Sequence, residues 1–261
     1  MDGEPAIVLE GVVKVFGDEV ALDGVNLAIP AGAITVLLGP SGAGKTLTIN
    51  HIVGLVDPTA GTVRVLGQDL AELGDAELNA MRRRMGVAMQ GNQPFTCGLF
   101  FGLSVHDNVA FALRDRRPRW PREQVDAVTR EHLRATGLER FAPAMPDELS
   151  SGMRKRVALA RALALDPEIL IVDDFDSGID GVRLALLCEL LRDAQRERGA
   201  TLLVTTHDMT AARRLADHLA VIHAGRIVAA GPAPEVLATT EPAARQLISG
   251  DTEGPIRLAS P

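Results

Sequence analysis

Aromatic residues are scarce in this sequence. Tyrosine is absent, tryptophan occurs once, and aromatic residues make up 3% of the 261 residues. Proteins that bind single-stranded nucleic acid stack the bases on aromatic side chains within a basic groove. Here the formal net charge is −7, and the arginine clusters Arg82–Arg84 and Arg114–Arg119 have almost no aromatic neighbours. We interpret these clusters as solvated faces, and we do not expect nucleic acid to be a partner.

Cysteine and long apolar runs are also lacking. The two cysteines, Cys97 and Cys188, provide neither a disulfide framework nor the spacing of a metal site, which favours a reducing compartment. No apolar run approaches the ~20 residues of a membrane span. The acidic segment Met1–Pro5 does not resemble a signal peptide. If the protein serves a membrane, we expect it to act from the cytoplasmic side through partners.

Lysine is the rarest charged residue, with three lysines against twenty-four arginines. Lys45 lies in a segment that fits the phosphate-loop pattern G-x-x-x-x-G-K-[ST]. The apolar run Ile34–Leu38 before it predicts a buried parallel strand, and Thr46–Val56 after it predicts a helix. Backbone N–H groups and the helix N-terminus then point at one anion. The segment predicts a nucleotide-phosphate site formed by Gly39, Pro40, Ser41, Gly42, Ala43, Gly44, Lys45 and Thr46.

A second apolar strand carries two carboxylates at its end. Glu168–Val172 is followed by Asp173 and Asp174, and the next buried strand, Thr201–Thr206, is followed by His207. Open parallel sheets bind ligands at the carboxyl ends of their strands. The aspartates are interpreted either as a helix cap or as a Mg²⁺ site, and the upstream phosphate loop favours Mg²⁺.

Three further features leave alternatives open. Phe16 is either an aromatic that stacks on an adenine ring or an ordinary core residue. Ser150 or Ser151 caps a helix over Arg154–Ala164, with or without a further role. The apolar, non-periodic stretch Gly91–Gly102 either covers a core or meets a partner.

The remaining elements are predicted from alternation and turn residues. Strands are expected over Ile7–Leu9, Val12–Phe16 and Ala21–Ile29, and a hairpin around His223–Gly225. A helix is expected over residues 121–136, with Pro121 in its first turn.

Taken together, these features resemble the ATP-binding subunit of an ABC transporter over nearly the whole chain. The resemblance identifies Phe16 as the adenine-stacking aromatic, Gly39–Thr46 as the Walker A loop, Gln90 as the Q-loop glutamine, Leu149–Met153 as the signature, Asp173 as the Walker B aspartate, Ser177–Asp180 as the D-loop and His207 as the switch histidine. It implies an α/β fold, a P-loop NTPase core with an antiparallel β subdomain and an inserted helical subdomain. The implied boundaries are 1–90 with 166–235 for the core, 91–165 for the helical subdomain and 236–261 for a C-terminal extension.

The resemblance also implies the chemistry, which is ATP hydrolysis between two copies arranged head to tail. ATP would bind the Walker A loop of one copy and contact the signature (Ser150, Ser151, Gly152) and Asp180 of the other. Mg²⁺ would be held by Thr46, Gln90 and Asp173. Asp174, His207 and Gln90 would be catalytic, and a membrane permease would dock near Gln90.

A closer resemblance is to the ATPases of Mla and Mce lipid-transport systems. It is carried by Met153–Arg156 after the signature, by Asp176–Arg183, and by the tail Glu241–Gly250 with Gly254-Pro255. Lipids or other hydrophobic molecules are therefore the expected cargo, and the cytoplasmic face of the cell membrane is the expected location.

The sequence departs from the family pattern on its catalytic side. Asp174 stands where the family has a glutamate base, Phe175 where it has proline, and Ser151 where the signature has its first glycine. We therefore expect ordinary Mg-ATP binding with slow hydrolysis. The rival interpretations are an ATP-gated regulatory subunit with little turnover and a soluble ABC ATPase outside transport.

Overall fold

The structure is a computed structural model that describes residues 4–89, 98–176 and 179–257. The strands are β1 (Ile7–Phe16), β2 (Glu19–Ile29), β3 (Ile34–Leu38), β4 (Ala60–Val65), β5 (Gln68–Asp69), β6 (Met85–Ala88), β7 (Ile169–Val172), β8 (Thr201–Thr206), β9 (His218–His223) and β10 (Arg226–Pro232). The α-helices are α1 (Lys45–Ile52), α2 (Asp75–Arg83), α3 (Val105–Arg116), α4 (Arg122–Ala135), α5 (Ser151–Ala164), α6 (Gly181–Arg198), α7 (Met209–Leu215), α8 (Ala233–Leu237) and α9 (Pro242–Ser249). Of the predicted site residues, Gln90 lies outside the described ranges, as do residues 177–178 of the D-loop.

The chain divides into two compact units. The first unit contains the residues up to Leu78 together with those from Leu203 onward, and the second is Asn79–Leu202. The division falls within α2 and within β8.

The first unit contains an antiparallel sheet with the strand order β2-β1-β4-β5. Ile7 pairs with Ile29 on β2 and with Val65 on β4, and all three side chains are buried. The two strands predicted on either side of residues 10–11 form one strand, β1, with a register shift between Leu9 and Val12. Gly11, at φ 58°, lies at this irregularity, which the sequence shows only as a gap in the apolar pattern.

The first unit also contains the strands that lead to the phosphate loop. β3 pairs in parallel with β9 and neighbours β8, while β9 and β10 form the expected antiparallel hairpin. Every residue of β3 is buried, as the continuous apolar run predicted. Asp217 fixes the start of β3, because its carboxylate accepts from the N–H of Ile34 (2.9 Å) and its own N–H donates to the Ile34 carbonyl (2.9 Å).

Helix α1 is shorter than its apolar spacing predicted. It ends at Ile52, and Gly54 follows in the left-handed region at φ 71°. The N–H of Gly54 donates to His51 O (3.0 Å) and the N–H of Leu55 donates to Asn50 O (2.8 Å), which is the Schellman arrangement. Gly54 therefore stops the helix, although Val56 continues the helical spacing of apolar residues.

In the second unit, β6 pairs in parallel with β7, and α5 packs against β6 and against the helices α3 and α4. Gly86 of β6 allows the close approach of α5, because a Cβ there would lie 2.7 Å from the Ala162 carbonyl oxygen. Helix α5 is buried along most of its second half. Among helices of the described residues, none is both long and apolar enough to cross a membrane.

Candidate functional site

The loop after β3 has the backbone of a phosphate cradle. Gly42 and Gly44 adopt φ 79° and 107°, a region that side chains disfavour. A Cβ at Gly39 would lie 2.5 Å from the Ile222 carbonyl oxygen, and one at Gly44 would lie 2.7 Å from Leu22 Cδ2. Glycine is thus required by packing against a backbone oxygen at Gly39 and favoured by backbone conformation at Gly42 and Gly44.

Lys45 follows the last glycine of this loop and is the first residue of α1. Its Nζ donates to the carbonyl oxygens of Gly39 (2.7 Å) and Pro40 (2.9 Å), so the ammonium group faces the interior of the cradle. Thr46 is exposed in the first turn of α1, and that turn carries no acidic side chain to offset the positive helix end. The glycine cradle, the ammonium group and the helix N-terminus fit the phosphates of a nucleotide.

His207 lies directly after β8 and is exposed. The carbonyl of its neighbour Thr206 accepts from the N–H of Gly39, at 3.4 Å, which places the end of β8 beside the start of the phosphate loop. Asp208 then caps α7 by accepting from the N–H groups of Thr210 and Ala211. His207 therefore lies at the carboxyl end of β8, where the sequence predicted it.

Phe16 is not a core residue, since 52% of it is exposed at the end of β1. The Nζ of Lys14 lies 5.2 Å from the centroid of its ring and donates to the carbonyl of Asp57 (2.7 Å). The exposure excludes the alternative of an ordinary core aromatic, and the adenine-stacking role stays a prediction.

In the second unit, Asp173 and Asp174 follow β7 as predicted. Asp173 is buried, and its N–H donates to the carbonyl of Ala88 (2.8 Å), which extends the pairing with β6. Asp174 adopts the left-handed region at φ 49°, which aspartate tolerates better than most residues. A proline at position 175 would drive residue 174 toward extended backbone. Phe175, which is buried, leaves residue 174 free to adopt this conformation.

The carboxylate of Asp174 is held by a lysine of helix α5. Lys155 Nζ donates to Asp174 Oδ2 at 2.9 Å and to the Asp174 carbonyl oxygen at 2.7 Å. Only 16% of the lysine side chain and 19% of the aspartate side chain are exposed. Sequence reasoning missed Lys155. The available signal was its rarity, because it is one of only three lysines and stands four residues after Ser151, on the same face of the helix.

The signature segment begins helix α5. Ser150 is the N-cap, and its hydroxyl accepts from the N–H of Met153 (3.3 Å). Arg154 Nη1 donates to the carbonyl of Leu149 (2.7 Å), which holds the segment before the cap. Ser151 is exposed and Gly152 is buried. The capped helix is therefore present, and a further role for these residues stays a prediction.

Asp180 begins the following helix. Its Oδ1 accepts from the N–H of Arg183 (3.0 Å), and its Oδ2 accepts from Arg183 Nη1 (2.6 Å). The pKa of Asp180 is lowered, mainly by the backbone hydrogen bond from Arg183. The carboxylate is thus an ionised cap of α6, and its predicted contact with a nucleotide of a second copy stays a prediction.

The predicted Mg²⁺ ligands among the described residues are both oxygen donors. Thr46 offers a hydroxyl in the first unit, and Asp173 offers a carboxylate in the second. Hydroxyl and carboxylate oxygens are the donors that Mg²⁺ prefers in phosphate-binding sites. The third predicted ligand, Gln90, is outside the described residues.

Comparisons with known proteins agree with these features. A family model described as ABC transporter matches residues 22–177. The probable ribonucleotide transport ATP-binding protein mkl of Mycobacterium leprae is 38% identical over 254 residues, which cover 97% of this chain and 72% of the relative. The intermembrane phospholipid transport system ATP-binding protein MlaF of Haemophilus influenzae is 34% identical over 245 residues, with 94% and 90% covered.

Two solved structures show the same fold. A bacterial ABC transporter cassette in a dimeric structure has a TM-score of 0.80 at 33% identity, over 87% of this chain and 98% of that chain. A dimeric ATP-binding cassette in a post-hydrolysis state, bound to ADP and Pi, has a TM-score of 0.79 at 32% identity and the same coverage. These similarities confirm the predicted fold class. The chain therefore belongs to the ABC transporter family and carries its ATP-binding cassette.

Proposed function

We propose that the chain hydrolyses Mg-ATP as one half of a head-to-tail homodimer and drives a membrane permease that moves lipids or other hydrophobic molecules. The observation that carries the nucleotide part is the cradle of Gly39–Thr46, with Lys45 directed into it. The dimeric cassettes among the structural relatives support the homodimer. The permease would hold the chain at the cytoplasmic face of the cell membrane.

The Walker A loop would hold the nucleotide phosphates through backbone N–H groups and the ammonium of Lys45. Thr46, Gln90 and Asp173 would hold Mg²⁺, and when bound with ATP the ion would supply neutralisation of the charge on the phosphates. His207 would orient the attacking water from the end of β8. Ser150, Ser151, Gly152 and Asp180 would contact the nucleotide of the second copy, so the rate would depend on dimer closure.

Asp174 would accept the proton of the attacking water. Its side chain is one methylene shorter than that of glutamate, and a misplacement of about 1 Å can cost on the order of a hundredfold in rate. We therefore propose that the chain binds Mg-ATP normally and hydrolyses it slowly.

The lipid cargo rests on the likeness to MlaF and on the C-terminal tail. MlaF is named for phospholipid transport, whereas the relative mkl is named for ribonucleotide transport, so a nucleotide cargo is the second candidate. After α9, the tail folds back on Gln246, whose Nε2 donates to Asp251 O (3.2 Å) and Ile256 O (3.0 Å). A segment held in this way can contact a neighbouring subunit.

The permease contact is proposed at Phe100 and Phe101, which follow Gln90, the centre of the predicted docking region, in the sequence. They are 44% and 61% exposed, and Phe100 packs edge-on against Phe111 with ring centroids 5.1 Å apart. Exposed aromatic residues in a cluster are typical of protein–protein contacts.

One measurement tests the catalytic part of this proposal, namely steady-state Mg-ATP hydrolysis by the full chain, by Lys45→Ala and by Asp174→Glu. We expect slow turnover that Lys45→Ala abolishes. Turnover only in Asp174→Glu would favour the regulatory, ATP-gated alternative.

Purification from native membranes tests the transport part of the proposal. We expect a multispanning membrane protein and bound phospholipid in the complex, and a chain that purifies without any membrane protein would favour a soluble ABC ATPase.

A further inference from the structure

We infer that Lys155 is the positioning residue for Asp174, and that it fixes the shortened carboxylate in the place from which it acts as the base. The inference rests on the proposed role of Asp174 in hydrolysis. It extends that role to a second residue, on helix α5, that does not itself touch the nucleotide.

Lys155 makes two hydrogen bonds to Asp174. Lys155 Nζ donates to both the carbonyl oxygen and the Oδ2 of Asp174, at 2.7 and 2.9 Å. The bond to the carbonyl holds the backbone at residue 174, and the bond to Oδ2 holds the side-chain rotamer. An aspartate has only two side-chain torsions, so these two contacts restrict the positions that its carboxylate can take.

The pair formed by Lys155 and Asp174 is largely buried. Both side chains are less than one-fifth exposed. A small cavity of about 20 Å³ lies beside Lys155, lined also by the apolar side chains Leu159, Phe175 and Leu187 and by the charged side chains Arg156 and Asp173. Because both side chains of the pair are largely shielded from solvent, the attraction between the ammonium and the carboxylate is stronger than at an open surface. The pair is therefore a fixed contact rather than a transient surface ion pair.

The backbone conformation of Asp174 also needs contacts that hold it. Its φ of 49° lies in the left-handed region, which costs free energy for any residue other than glycine. Such a conformation persists when neighbouring contacts hold it. Lys155 supplies one of these contacts through the carbonyl, and the buried ring of Phe175 supplies another.

A positioned base matters most where its side chain is short. A general base acts within about 3 Å of the proton that it takes. Without Lys155, the carboxylate of Asp174 can rotate away, and its backbone can relax toward extended conformations. We expect the rate of hydrolysis to fall while the affinity for ATP stays the same, because Lys155 lies outside the Walker A loop.

The test is a double-mutant cycle on steady-state Mg-ATP hydrolysis by the full chain. We expect Lys155→Met to lower kcat by about 10- to 100-fold with KM changed by less than about twofold. Lys155→Arg can still donate to both oxygens and should retain at least about a third of kcat. In the Asp174→Asn background, Lys155→Met should have no further effect, because its effect passes through the carboxylate.

Arg84→Met is the matched control. It removes the ion pair between Arg84 and Glu168, which lies before the start of β7, whereas Asp174 lies after its end. We expect kcat to be unchanged by this substitution. Thermal melting and ATP affinity of each variant show whether it is folded, and Lys155→Gln, which keeps one donor group, replaces Lys155→Met if that variant does not fold.

The outcomes separate the inference from the proposed function. Equal or faster turnover in a folded Lys155→Met or Lys155→Gln chain overturns the inference alone, and so does an equal loss in the Asp174→Asn background. Turnover of the unaltered chain no faster than that of Lys45→Ala refutes the proposed hydrolysis, and the inference fails with it.

Discussion

The side chain of Asn108 and the backbone of Phe100 exchange two hydrogen bonds. Asn108 Oδ1 accepts from the Phe100 N–H at 2.7 Å, and Asn108 Nδ2 donates to the Phe100 carbonyl at 3.0 Å. The same Nδ2 lies 3.0 Å from the carbonyls of Leu103 and Ser104. One fully buried amide on α3 therefore fixes the backbone that carries the exposed Phe100 and Phe101.

We expect Asn108→Ala to lower the free energy of unfolding by about 2–3 kcal/mol, because it removes a fully buried amide and its hydrogen bonds to the Phe100 N–H and the Leu103 carbonyl. Urea denaturation measures the change. Asn79→Ala is the control, since Asn79 is exposed and, among the residues that the structure describes, its side chain accepts a single hydrogen bond, from Arg82 (3.3 Å). Equal stability of the two variants would contradict the bracing role of Asn108.

The phosphate loop gives a graded prediction. Gly39→Ala should cost about 3 kcal/mol or more, because its Cβ would lie 2.5 Å from a backbone oxygen that cannot move aside. Gly42→Ala should cost only about 1 kcal/mol, since nothing lies within 4 Å of its Cβ and only the left-handed φ is strained. Thermal melting of both variants checks the order, and a larger loss in Gly42→Ala would contradict it.

The sequence predicted the limits of those strands whose two ends are marked by turn residues or polar residues. β3 and β8 have the predicted limits, because their apolar runs are continuous and bounded by turn residues or by polar residues. The end of α1 was predicted four residues too late, because the Schellman turn at Gly54 competes with a spacing pattern that continues beyond it. The contact between Lys155 and Asp174 could not be predicted, since it depends on how α5 packs beside the end of β7.

Helix α1 carries a buried histidine that makes stability depend on pH. His51 Nδ1 lies 2.7 Å from the Leu47 carbonyl, and among the described residues nothing bonds to its buried Nε2. Burial lowers the pKa of His51 below its ordinary value of 6.5. The unfolded chain therefore binds a proton that the folded chain resists, and stability falls as pH drops below about 6.5.

We expect His51→Leu to lose less stability between pH 8 and pH 5 than the unaltered chain does. Leucine cannot bind a proton, so the unfolded variant takes up no proton at position 51 as the pH falls. Urea denaturation at a series of pH values gives both curves, and comparison at pH 8 corrects for any change in packing. Parallel curves over the whole range would exclude His51 as a source of the dependence.

Substitution of Asp174 by glutamate tests the proposed slow hydrolysis and its origin. The longer arm should bring the carboxylate nearer to the attacking water and raise kcat by about 10- to 100-fold, with the affinity for ATP unchanged. Steady-state hydrolysis and calorimetric ATP binding measure the two quantities. If the unaltered chain hydrolyses ATP as fast as Asp174→Glu, the missing methylene does not limit the rate.

The paired aromatic residues Phe100 and Phe101 test the permease contact. In the double variant Phe100→Ser with Phe101→Ser, the bonds from Asn108 to the backbone remain possible, so the segment should keep its path while losing its apolar surface. We expect co-purification with the membrane permease to fall at least about tenfold, because exposed aromatic side chains dominate such contacts. The affinity for ATP should not change, since the Walker A loop belongs to the other compact unit.

Leu55→Ser is the control. It removes an exposed apolar side chain from that other unit and should leave co-purification intact. Retention of the permease by the double variant would exclude this surface as the contact.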